Sequence, residues 1–162
     1  PDRYERLVAC DTQPSTPAAN VSAWDERIAL ANAKGMSELA AVTVPRWYGP
    51  GSQASAECRS WTEAMVTSTP VDGFAAGARA LQSYDLINDG IIDAFASRAS
   101  SHRHLLLAGE ADGKLPETLQ AFTTKLTQAG AAADFASVPN AGHLPMCDNP
   151  EAWLQPVLKF LA

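Results

Sequence analysis

No apolar run in this chain approaches the length needed to cross a bilayer, so a membrane-spanning helix is not expected. There is also no charged start followed by an apolar segment of the secretory type. Basic residues are scarce: 12 Lys and Arg stand against 18 Asp and Glu, for a formal net charge of −6. They form no cluster that would grip a phosphate backbone, and neither nucleic acid nor a membrane is expected as a partner. Cysteine is sparse as well. Cys10, Cys58 and Cys147 are odd in number, widely spaced and without a C-x-x-C pair, which argues against a disulfide framework or a zinc site. Thiols in a reducing compartment fit better, so cytoplasm is the expected location. Repeats and low-complexity tracts are absent too.

What is present is the composition of one soluble globular domain: 162 residues, 46% hydrophobic and 19% charged. Arg6-Leu7-Val8-Ala9-Cys10, entered from a Pro1-Asp2-Arg3 turn and closed by Asp11-Thr12, reads as a buried parallel strand. From Asn20 to Leu86 the composition turns helical, punctuated at Gly35, Pro45, Gly49-Pro50-Gly51 and Pro70. Helices are expected over 22–34, 36–47, 53–67 and 71–82, with Ser22 and Ser37 as caps of the first two. A short helix and linker are read between Asp85 and Ser101. His104-Leu105-Leu106-Leu107-Ala108 is a second buried strand ended by Gly109. A helix over 116–128 follows, with Leu119, Phe122 and Leu126 on one face, then a third strand over 133–138 and a final helix over 150–161. Asn149 caps that helix and Pro150 opens it. Trp153, Val157, Phe160 and Leu161 are assigned one face, and Pro156 is expected to kink it.

The order of strand, helix, strand, loop and helix predicts an α/β fold with a parallel sheet, into which a helical block is inserted. The expected divisions are 1–19 for the first core strand and its loop, 20–85 for the helical insertion, and 86–162 for the remaining core.

In open parallel sheets, functional residues lie beyond the carboxyl ends of the strands. Gly109-Glu110-Ala111-Asp112 follows the second strand and Asn140-Ala141-Gly142-His143 follows the third. Asp112 and His143 are 31 residues apart, room for one crossover helix and one strand, and a right-handed crossover puts both loops on one rim. An Asp that orients an imidazole, whose other nitrogen deprotonates a hydroxyl, suits nucleophilic catalysis. Each residue has a plainer reading: Asp112-Gly113 is also a common turn, and His143 also fits a polar loop position.

These runs, with Leu144-Pro145-Met146 and Asn149-Pro150-Glu151-Ala152, resemble the end of the α/β-hydrolase family. The opening segment through Val8 is similar to the stretch leading into the family's sixth strand. Within the family, Trp24-Asp25-Glu26-Arg27-Ile28, Gly35-Met36, Arg46-Trp47-Tyr48 and Gly73-Phe74 are most similar to 3-oxoadipate enol-lactonase and its relatives. The resemblance implies the carboxy-terminal part of a serine-type hydrolase acting on a small ester or lactone. It implies a parallel sheet with a helical lid over 20–85, a catalytic Asp112 and His143, and no cofactor.

The nucleophile elbow of that family, G-x-S-x-G, does not occur in these residues. Gly51-Ser52 comes nearest, but Ala54 stands where the closing glycine belongs. The nucleophile, the oxyanion hole and the strand beside the first one are therefore expected in an N-terminal half, and the chain by itself is expected to be inactive. A non-catalytic ligand- or partner-binding module on the same scaffold is the alternative. Asp11, at the end of the first strand, is the second candidate for the acid. Glu110 is read as a solvent-facing strand-end residue. Trp47 and Trp24 are candidates for the wall of a substrate pocket, against ordinary burial between lid helices. Arg46 and Arg27 are candidates for holding a substrate carboxylate, against surface ion pairing. His102-Arg103-His104 lacks partners at ligand spacing, so no metal site is expected there.

Overall fold

The computed structural model describes residues 4–162, so the Pro1-Asp2-Arg3 turn expected ahead of the first strand lies outside the described residues. Three strands, β1 (Arg6–Cys10), β2 (Arg103–Gly109) and β3 (Ala133–Val138), form a parallel sheet in the order β1-β2-β3. Val8 pairs with Leu105, and Leu106 with Phe135. The register leaves the carboxyl ends of all three strands on one rim.

The central strand β2 is apolar on both faces because both are covered. Leu105 and Leu107 point to one side, into a cluster with Val138, Ala141, Val157 and Phe160 under helix α7 (Pro150–Leu161). Leu106 and Ala108 point to the other, against Leu119, Phe122 and Leu126 of helix α5 (Leu115–Gln128). The alternation of a strand thus splits one apolar run between two cores. His104 shares the second side, stacked on Phe95 with ring centroids 3.8 Å apart. Its Nδ1 lies 3.2 Å from the Ala132 carbonyl oxygen, and burial pushes its pKa down, which suits a neutral, structural histidine.

The chain divides into two compact units. The sheet unit comprises Pro1–Pro14, Tyr48–Gln53 and Leu86–Ala162, and the helical unit Ser15–Trp47 and Ala54–Asp85. In the helical unit, α1 (Ala18–Thr43), a 3-10 turn (Val44–Trp47), α2 (Ala56–Ser68) and α3 (Val71–Ser83) follow one another. Its interior has two apolar clusters, one of Ile28, Ala75 and Ala78 and one of Ala31, Met36 and Leu39. The first expected break falls at Gly35, where φ of 82° interrupts α1.

Other boundary expectations are corrected. Ser22 and Ser37 do not cap: Pro17 stands at the start of α1, and the helix resumes at Met36 directly after the left-handed glycine. The second segment stops at Thr43 rather than 47, and the chain tightens into the 3-10 turn around Pro45, whose missing N–H cannot serve an α-helix interior. Helix α2 begins at Ala56, because Ser55 caps it by accepting the Cys58 N–H at 3.1 Å. The short helix expected between Asp85 and Ser101 is present as α4 (Ile91–Ala96). Helix α7 continues through Pro156 to Leu161, its last turn anchored by buried Val157 and Phe160. Leu161 is 48% exposed and does not share their buried face.

Glycine positions separate two kinds of constraint. A Cβ on Gly109 would sit 2.0 Å from the Gly142 carbonyl oxygen, whereas a Cβ on Gly77, within α3, would meet nothing within 4 Å. Gly109→Ala is expected to lower the unfolding free energy by about 3 kcal/mol or more, since backbone must move to admit it. Gly77→Ala is expected to raise it by about 0.5–1 kcal/mol through helix propensity. Urea denaturation of the two variants beside the parent chain measures both signs.

Candidate active site

The site begins with that close approach. Gly109 ends β2 against the backbone of Ala141 and Gly142, and the following residues continue the contact. The Glu110 N–H donates to the Val138 carbonyl at 2.9 Å and the Ala111 N–H to the Ala141 carbonyl at 2.8 Å. The two strand-end loops are thereby joined along their backbones. A turn closes from the Gly109 carbonyl to the Asp112 N–H at 3.0 Å, and Gly113 takes a φ of 54°. Asp112 is a turn residue whose carboxylate also reaches across to the loop after β3.

The Asp112 carboxylate oxygen Oδ2 lies 2.8 Å from His143 Nδ1. Because an ionised carboxylate only accepts, the proton of a neutral imidazole belongs on Nδ1, which makes Nε2 the ring's acceptor. The side chains are 40% exposed for His143 and 23% for Asp112, so the pair borders solvent without being dissolved in it.

A second carboxylate joins them. Asp11, directly after β1, occupies the left-handed region at φ of 46°, which Asp tolerates better than most residues. Its N–H donates to the Leu107 carbonyl at 2.9 Å, and its Oδ1 accepts the Gly109 N–H at 3.0 Å. Cys10 Sγ donates to Oδ2 at 2.9 Å. Polar atoms of Asp11, Asp112 and His143 lie within 4.8 Å of one another, and among the described residues no other such group of metal-ligand types is gathered. Burial pushes the Asp11 carboxyl up to about 6, opposed by the Cys10 and Gly109 hydrogen bonds and aided by the Asp112 charge. The Cys10 thiol is pushed up to about 12, first by burial and then by the Asp11 carboxylate.

The loop that carries His143 is fastened by residues that sequence reasoning missed. Helix α6 (Pro145–Asp148), a single turn, ends in Asp148, which is 0% exposed. Its Oδ2 accepts the N–H groups of Gly142 at 2.6 Å and of Gly49 at 2.9 Å, while its carbonyl accepts the Gln53 N–H at 2.8 Å. One carboxylate therefore ties the Tyr48–Gln53 segment to the residue preceding His143. No motif or periodicity next to the capping Asn149 marks Asp148 in the sequence; only burial distinguishes it. Asn149 caps α7 as expected, accepting the Ala152 N–H at 3.3 Å, and its Nδ2 donates to the Pro139 carbonyl at 3.1 Å.

The remaining candidates belong to one unit or the other. Glu110 is exposed, with Oε2 accepting the Asn140 N–H at 3.2 Å. Trp24 packs half-buried on the Ile28, Ala75 and Ala78 cluster, with the Arg27 guanidinium 4.7 Å from its ring centroid. Trp47, half-buried, ends the 3-10 turn, and Arg46 beside it is exposed. Trp24, Arg27, Arg46 and Trp47 belong to the helical unit and Glu110 to the sheet unit. Ser52 follows a turn closed by Gly49 rather than a strand, so it has none of the geometry of a nucleophile elbow.

No protein-family model matches the sequence, and no curated protein matches it. Solved structures do match in shape. An esterase from Thermogutta terrifontis aligns over 99% of this chain and 56% of its own, at TM-score 0.78 and 24% identity. An enol-lactonase from Burkholderia xenovorans aligns over 99% and 57%, at TM-score 0.73 and 23% identity. A hydrolase from Pseudomonas aeruginosa aligns over 99% and 56%, at TM-score 0.72 and 29% identity. The chain has the fold of the carboxy-terminal portion of an α/β-hydrolase. It spans somewhat over half the length of these relatives in structure, and in this portion of the α/β-hydrolase fold the loops after β2 and β3 carry Asp112 and His143. No helix among the described residues is long and apolar enough to cross a membrane.

Two outcomes follow from the fastening and the second carboxylate. Asp148→Ala leaves the buried N–H groups of Gly49 and Gly142 without their acceptor. It is expected to cost about 2–4 kcal/mol and to speed hydrogen exchange at those two amides before the rest of the sheet unit. For Asp11, a folded-state pKa raised from 3.8 to about 6 means that the fold favours the protonated form. That contribution is complete below the unfolded pKa and is lost as pH rises through the folded one. Relative to the parent chain, Asp11→Asn is therefore expected to gain about 1–2 kcal/mol between pH 4 and pH 7.5, after allowance for solvent screening at this half-buried position. Parallel urea titrations at the two pH values read the difference.

Proposed function

We propose that this chain is the carboxy-terminal part of a serine-type hydrolase that cleaves a carboxylic ester or lactone. The observation that carries the reading is the 2.8 Å contact between Asp112 and His143 at neighbouring strand ends. In this scheme the nucleophilic hydroxyl and the oxyanion hole come from an N-terminal half, on the same or a separate chain. His143 Nε2 takes the hydroxyl proton as the oxygen attacks the carbonyl carbon. Asp112 keeps the imidazole oriented and stabilises the imidazolium, which then returns the proton to the departing oxygen. Water repeats the cycle on the acyl-enzyme. No cofactor enters this chemistry.

The substrate class leans on the structural relatives, described as an esterase and an enol-lactonase. The helical unit is assigned the role of a lid, with Trp47, Trp24 and Arg46 as substrate-binding residues. For Trp24 the competing role is better supported, because its ring already packs on Ile28 and carries Arg27. The absence of any disulfide suits a cytoplasmic protein.

The test is hydrolysis of a short-chain p-nitrophenyl ester and of an enol-lactone by the 162-residue chain, alone and joined to its N-terminal half. The chain alone is expected to be inactive and the complete protein active. His143→Ala should lower kcat/KM of the complete protein about a thousand-fold or more, and Asp112→Asn comparably. Trp47→Ala should raise KM with a smaller effect on kcat. Turnover by the chain alone would overturn the missing-nucleophile reading. Ligand binding by a complete protein without turnover would favour the non-catalytic module instead.

A further inference from the structure

Asp112 suffices as a partner for His143, yet the structure brings a second carboxylate to the same place, and with more preparation than chance proximity needs. Asp11 adopts a left-handed backbone conformation, gives its N–H to Leu107, and accepts two hydrogen bonds, from the Gly109 N–H and the Cys10 thiol. The Gly109 bond reaches the first residue of the turn that presents Asp112. Its polar atoms lie within 4.8 Å of those of Asp112 and His143. The charged or titratable groups facing it are Cys10 from its own strand, Asp112 from the loop after β2 and His143 from the loop after β3.

We propose that Asp11 is a positioning residue of the site, bracing the acid turn through Gly109 and supplying a second negative charge that supports the imidazolium of His143. This rests on the hydrolase reading above and adds to it a group outside the Asp112–His143 pair. A fixed carboxylate near a histidine that becomes cationic during reaction favours the charged state most when that charge develops. Burial holds the Asp11 carboxyl near 6, so its charge appears over the interval in which a histidine ordinarily loses its proton. Asp112 orients; Asp11 adjusts the charge balance and holds the turn.

The substitution that separates these roles is Asp11→Asn. Asn accepts the left-handed backbone and can still accept the Gly109 N–H, so it removes the charge and keeps the brace. The measurement is an NMR pH titration of the whole 162-residue chain, following the His143 ring and the Gly109 amide, in the parent, Asp11→Asn, Asp112→Asn and Cys10→Ala. In the parent, the Gly109 amide is expected to inflect near pH 6. Asp11→Asn should abolish that inflection and lower the His143 midpoint by about half a unit or more. Cys10→Ala, which removes one donor to the carboxylate, should move the Gly109 inflection upward. A His143 midpoint lowered by Asp112→Asn but untouched by Asp11→Asn would overturn the role of Asp11 and leave the dyad standing. A midpoint moved by neither would remove the dyad reading as well. A Gly109 amide without any inflection between pH 4.5 and 7.5, in the parent and in Cys10→Ala, would also overturn the proposal, even if Asp11→Asn failed to fold.

Discussion

The end of β2 meets the loop after β3 backbone to backbone, and the geometry of the rim depends on that contact. Gly109 has no side chain because a Cβ would lie 2.0 Å from the Gly142 oxygen. Once the two main chains touch, the amides of Glu110 and Ala111 find acceptors in Val138 and Ala141, and the two loops become one hydrogen-bonded surface. Asp112 and His143 then extend from a shared frame. A pair of side chains drawn from separate loops gains a fixed geometry this way, since the backbone bonds between the loops hold both.

Polar groups buried around this frame hold it in place. Asp148 accepts two backbone N–H groups from segments nearly a hundred residues apart, Gly49 and Gly142. Asn149 caps α7 with one end of its amide and holds the Pro139 carbonyl with the other. Buried carboxylates are costly unless hydrogen-bonded, and here the donors are backbone groups that would otherwise be orphaned. Asp11 has a different balance. Its burial opposes ionisation, so its charge is held against the preference of the fold.

The core elements were legible because their signals are local and two-sided. The apolar run of β2 had the density of a strand buried on both faces, β1 and β3 at the sheet's edges are only half-buried, and the bounds of all three fell within a residue of expectation. The Asn149-Pro150 start of α7 was equally plain. The helical unit was less readable. Ser22 and Ser37 are good caps by residue type, but Pro17 and the left-handed Gly35 define the starts instead. Pro156 breaks a helix by propensity, and packing of Val157 and Phe160 on the sheet overrides it.

By itself, the sequence determined the order of strands and helices, the two strand-end loops and the types of side chain they carry. Those features depend on periodicity and turn chemistry within a few neighbouring residues. Tertiary structure decided which of the carboxylates reaches the imidazole, and that Asp112 and Asp11 share the place rather than competing for it. It also decided that Asp148 is buried. Asp11 meets Gly109 across 98 residues, and Asp148 meets Gly49 across 99. Contacts of that separation leave no periodic trace in the chain, because they arise only when strand pairing brings distant backbones within hydrogen-bonding distance.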